Sequence, residues 1–182
     1  MDATKASQFA SGAPTLNLLG NAQIVAGDYP TAVRTLEQAR SLASEDGKMD
    51  AKQRATISAN LVAAYVYAGE IDKAVALLPE IKQLDPNNTA ALSNVVSYYS
   101  KKAQVAQKAG DIHGAAGLYE KAASLGSEYS SVMYTNEAFA YMQGVKPDWK
   151  AAKAAADKAL AVKPDDAAAN LAEGVALAND GK

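Results

Sequence analysis

The chain has 182 residues, of which 49% are hydrophobic and 21% charged, and it carries a formal net charge of -2. This balance suits one soluble domain or one short repeat array with a buried core, and it denies the basic surface that nucleic acid requires. Cysteine is absent, which excludes disulfides, thiolate nucleophiles and cysteine zinc sites, and no apolar run approaches the ~18 residues of a membrane span.

Residues 1–13 are mostly small and polar, with Lys5 as their one basic residue, and they lack the apolar core of a signal peptide. A flexible N-terminal segment is expected there. From Pro14 onward alanine supplies much of the apolar content, while the whole chain holds only 2 Phe and 1 Trp. Alanine is the strongest helix former and lets helices approach closely, so helix–helix packing is favoured.

Self-comparison finds four turns: Gly27-Asp28-Tyr29, Gly69-Glu70-Ile71, Gly110-Asp111-Ile112 and Pro147-Asp148-Trp149. Each is a helix breaker, an acid and a large apolar residue. The breaker ends one helix and the acid starts the next, where it also complements the positive helix end. Three residues after the apolar one stands Ala32, Ala74, Ala115 or Ala152. Then follow Leu36, Leu78, Tyr119 and Ala156, and after them Ala39, Ile81, Ala122 and Ala159. These +3, +4, +3 steps share one helical face, so each turn joins the two helices of a hairpin.

In the second unit the first helix begins at Asp50, where Asp50-Ala51-Lys52-Gln53 reads as a capping box. Ile57, Asn60, Leu61, Ala64, Tyr65 and Ala68 keep helical spacing, and Val62, Val66 and Tyr67 line the opposite face. A helix apolar nearly all round is packed on more than one side. Successive turn acids lie 42, 41 and 37 residues apart. The first spacing includes a polar connector, Ser44 to Met49, and the last a longer turn around Gly144 to Pro147. Between them, Thr89 to Ala109 holds no proline or glycine and predicts one helix of about 21 residues. Its far part, with Ser100, Lys101, Lys102, Gln104, Val105 and Gln107, is expected to project as a solvated overhang or as a lip over a binding surface.

These units resemble the tetratricopeptide family, whose repeat of about 34 residues carries large–x2–Leu–Gly–x2–Tyr, then Ala–x3–Phe and a closing proline. The first unit matches with Leu16, Leu19, Gly20 and Ala32, although Gln23 replaces the tyrosine. The second gives Leu61, Tyr65, Ala74, Leu78 and Pro86, and the third Leu92, Val95, Tyr99, Ala115 and Tyr119. The fourth gives Tyr134, Ala138, Tyr141, Ala152 and Pro164. The resemblance covers Pro14 to Lys182 and implies an all-α fold, an alpha–alpha superhelix of about four helical hairpins plus a C-terminal helix. The repeats fall near 14–46, 50–88, 89–127 and 130–164, with the final helix at 166–179. A four-helix bundle with alanine-rich seams is the competing architecture. Because the sequence stops where a further second helix would start, a boundary inside a longer protein is expected.

No catalytic, cofactor or metal signature is present. His113 is the one histidine, with no acidic cluster at ligand spacing, and Asp165-Asp166 read as a helix start. Lys146, Lys150, Lys153 and Lys158 read as a solvated face. The resemblance implies a scaffold, not an enzyme, that binds a protein or peptide along its first helices. Asn60, Asn94 and Asn136 occupy one repeat position, and Asn21 lies on the same side of the first unit. Asparagine donates and accepts, so such a row can bind an extended peptide backbone; the same residue is also common scaffold in this family. Some members clamp a carboxylate tail with basic residues and two asparagines. Asn17, Asn21 and Asn60 fall on three of those places here, with Ala90 and Asn94 or Ser97 and Lys101 at the later basic ones. At most one cation is therefore present, which argues against a charge clamp. Tyr67 completes the expected groove set of Asn17, Asn21, Asn60, Tyr67, Asn94, Lys101 and Asn136. Neither nucleic acid nor membrane insertion is expected. The alternative is a structural module that forms a homodimer or serves a larger enzyme or envelope complex.

Overall fold

The computed structural model describes residues 12–126 and 128–180, so most of the expected N-terminal segment lies outside the described residues. Among the described residues the chain is all α, with nine helices. They are α1 (Ala13–Val25), α2 (Tyr29–Glu45), α3 (Ala51–Ala68), α4 (Ile71–Leu84), α5 (Ala90–Lys108), α6 (Ile112–Ser124), α7 (Ser130–Tyr141), α8 (Trp149–Val162) and α9 (Ala167–Asn179). The chain forms two compact units, one up to Val95 and one from Val96, so their boundary falls within α5. None of the described helices is long and apolar enough to cross a membrane.

Three of the hairpin turns end their first helix on the expected glycine, and three start the next helix on a capping aspartate. Gly27, Gly69 and Gly110 adopt φ near +80°, the left-handed conformation that terminates a helix and suits glycine. Asp28, Asp111 and Asp148 then accept from the backbone N–H groups of Thr31, Gly114 and Ala151. Glu70 starts α4 without such a bond and instead pairs with Lys73 at 2.6 Å. In the fourth turn the left-handed residue is Gly144 rather than Pro147, and the intervening residues loop out before Asp148.

In the first unit α1–α4 pack in chain order as hairpins, and α1 also touches α3. Ala32, Leu36 and Ala39 of α2 are fully buried, as is Ala74 of α4, with Ile81 nearly so. Gly20 brings α1 against this seam: a Cβ there would collide with the Leu36 side chain. Leu78, expected on the same face as Ala74, is only half-buried. The capping box at Asp50 forms fully, the carboxylate accepting from Gln53 N and the Gln53 amide accepting from Asp50 N. The connector before it is not merely polar. Met49 is buried in a cluster with Ala13, Leu16, Ala39, Ala43 and Ile57.

In the second unit α6–α9 pack likewise in sequence, and α9 also contacts α7. Ala115, Ala122, Ala152, Ala156, Ala159, Ala169, Ala172 and Ala176 are all fully buried. Asp166 starts α9 and accepts from the N–H groups of Ala168 and Ala169 and from the Ser131 hydroxyl of α7. These bonds hold its carboxyl below the usual carboxylate range. The long helix forms as one element of 19 residues. Its far end is not free of partners: Ala103 is fully buried, and Gln107 bonds to both Tyr119 and Gln143.

Ala74→Leu is expected to overpack the α3–α4 seam and lower stability by ~1–3 kcal/mol. Urea denaturation reads this directly, and an unchanged midpoint would contradict the seam.

Candidate functional site

In the first unit the polar face forms where α1 and α3 meet. Helical spacing puts Thr56, Asn60, Ala63 and Tyr67 on one strip of α3, and Asn17 and Asn21 on one strip of α1. Asn60 Nδ2 donates to Asn17 Oδ1 at 2.8 Å, so these two predicted residues come together. Both are half-buried, as is Asn21 one turn further along α1. Tyr67 is 56% exposed, and its ring stacks on Tyr29 with centroids 5.3 Å apart. The strip is therefore amide at its middle and aromatic at its end. Asn94 is half-buried early in α5.

Behind the strip the unit is tied by polar groups, of which the sequence reading had named only Tyr65. The Tyr65 hydroxyl donates to Glu37 Oε1 at 2.6 Å, and Lys73 Nζ lies 5.3 Å from the same ring. Burial, and then this bond to a carboxylate, push the Tyr65 hydroxyl well above its ordinary ionisation range. Arg40 of α2 forms a two-nitrogen pair with Glu80 of α4, which also accepts from Ser58 of α3. One carboxylate thus links three helices.

In the second unit Lys101 is exposed on α5 and Asn136 is half-buried on α7. The predicted basic face is partly a set of ion pairs. Lys153 bonds Asp157 at 2.8 Å, and Lys158 bonds Glu120 at 2.6 Å while lying 3.8 Å from Glu137. Lys158 Nζ also stands 5.5 Å from the Tyr134 ring. Glu137 is the residue the sequence reading passed over. It occupies the repeat position held by Leu61 in α3 and Val95 in α5, is only 4% exposed, and its Oε2 has no hydrogen-bond partner. A charge at an otherwise apolar repeat position was the available signal.

A cleft of about 270 Å³ opens at the turns of this unit, lined by His113, Tyr141, Gly144 and Lys146 among others. Its carboxylates, Asp111 and Asp148, are engaged in capping α6 and α8, and His113 packs edge-on to Tyr141. Among the described residues no three His, Asp or Glu side chains come together as metal ligands.

No family model matches the chain, and no curated protein matches it. Solved structures do. BtubC (BKLC) from P. vanneervenii is similar over 98% of this chain and 80% of its own, with 19% identity and a TM-score of 0.42. A Podosopora anserina protein assigned as a kinesin light chain, with nearly identical TPR-like repeats, matches over 92% of this chain and 86% of its own. Its identity is 16% and its TM-score 0.41, and a second structure of the same protein gives the same values.

The Asn17–Asn60 bond can be weighed by a double-mutant cycle. Asn17→Ala and Asn60→Ala together should show a coupling of ~0.5–1.5 kcal/mol in denaturation, the usual worth of one such bond. Strict additivity would mean that the two amides do not share a bond in solution.

Proposed function

We propose that the chain is a protein- or peptide-binding scaffold whose first helices present the binding face, and that it is not an enzyme. The observation that supports this most is the strip Thr56, Asn60, Ala63 and Tyr67. It is accessible, uncharged and rich in hydrogen-bonding capacity. The same register recurs at Ala90, Asn94, Ser97 and Lys101 of α5, and at Val132, Asn136, Phe139 and Gln143 along and just past α7. Asn17 and Asn21 extend it onto α1. A row of amides recognises backbone amides of an extended peptide, and Tyr67 supplies apolar contact at low entropy cost. Lys101 adds one cation in the second unit, too little for a carboxylate clamp. Binding of this kind buries little area and is expected near micromolar, about -8 kcal/mol.

Selecting peptides from a random display library against the whole chain tests the proposal. Replacing Asn60 and Asn94 together by alanine should weaken the selected peptides about tenfold or more, a loss of roughly 1.4 kcal/mol. Stability should fall by no more than the lost amide bond. Selection of no peptide, or equal affinity for the double mutant, would overturn the assignment.

A second reading, self-association, is favoured by the terminal helices. α1 carries no charged residue, and its Leu18 and Val25 are 70% and 89% exposed. On α9, Leu171 and Leu177 are 60% and 52% exposed. Exposed apolar helix faces of this kind suit a partner surface. Sedimentation velocity over an about hundredfold concentration range should then show a monomer–dimer equilibrium that Leu18→Lys with Leu171→Lys abolishes. A wild-type monomer throughout would reject this reading.

A further inference from the structure

The geometry around Glu137 points to a proton-operated catch in the second unit: neutral, Glu137 sits closed between α6, α7 and α8; ionised, it loosens that seam. Glu137 is 4% exposed and lies on the buried side of α7 with residues such as Ala138. Its Oε2 has no partner, and its Oε1 is 3.8 Å from Lys158 Nζ, beyond hydrogen-bonding distance. Lys158 is already committed to Glu120 of α6 at 2.6 Å. One ammonium therefore stands between two carboxylates and serves the exposed one better. A buried anion so poorly partnered is costly, and taking up a proton removes that cost.

The other charged groups nearby are engaged elsewhere. On α8, Lys153 pairs with Asp157, and Asp148 caps the helix. On α9, Asp166 bonds Ser131 and its own first turn, while Glu173 lies 4.0 Å from Lys153. On α6, Lys121 is exposed and Tyr119 bonds Gln107. Tyr134 and Tyr141 flank Glu137 on α7 itself. Burial pushes the Glu137 carboxyl up to about 7 from an ordinary 4.5; Lys158 opposes this, and Glu120 adds a smaller push upward. A raised carboxyl binds its proton more tightly in the folded state. Its contribution to stability is thus complete below the ordinary value and is lost as pH rises through about 7.

The test uses the whole chain. Carboxyl carbon NMR should place the Glu137 midpoint near neutrality. Hydrogen-exchange protection of α7 and α8, corrected for intrinsic rates, should fall about tenfold or more between about pH 5.5 and about pH 7.5. Glu137→Gln should abolish that fall, and so should Glu137→Leu, which restores the residue type of α3. The comparison with these variants also separates Glu137 from His113, which all three proteins share. A Glu137 midpoint in the ordinary carboxylate range would overturn the proposal, as would identical pH profiles for wild type and both variants.

Discussion

Close approach of paired helices at alanine is the constraint on which both units rest. Ala32, Ala74, Ala115 and Ala152 each stand one turn into the second helix of a hairpin, and none retains any exposure. A side chain of one carbon at that point brings two backbones near the short end of the interhelical range, so that the larger residues around it can interlock. The turn acids act on the same geometry. By fixing where each second helix starts, they fix which of its residues reaches the contact.

That relation explains what could be read from the residues alone. The hairpin turns, the alanine register, the capping box at Asp50 and the single long α5 are local signals, set by backbone preference and helical period, and all appear in the structure. Other features depend on contacts between residues far apart in sequence. Nothing in the stretch from Ser44 to Met49 says that Met49 will fill a gap between α1, α2 and α3, because that gap exists only once the helices are assembled. Leu78 keeps the right period yet stays half-buried, and Gly144 takes over the turn that the sequence pattern gives to Pro147. Period fixes direction around a helix; how much is packed on that side is decided elsewhere.

The candidate face was legible to a similar depth. Repeat register locates the asparagines, but it cannot say whether an amide is turned outward or toward a neighbour. Asn60 turns toward Asn17, which orders both side chains. Such a pair keeps three carbonyl lone pairs and three N–H donors for a ligand while losing less freedom when one binds. Scaffold and recognition roles are compatible on these residues. Glu137 is the converse case. Its register position is plain, and its significance comes only from the apolar surroundings that the alanines create.

The Asp166 contacts bear on how the last helix holds its place. Its carboxylate joins the opening turn of α9 to Ser131, whereas near the other end the Asn179 amide donates to the carbonyl of Val175 in its own last turn. The helix is thus held by a polar bond at its start and by buried alanines along its length. Loss of the Asp166–Ser131 bond should therefore loosen the first turn of α9 before the later turns, which buried Ala172 and Ala176 keep seated.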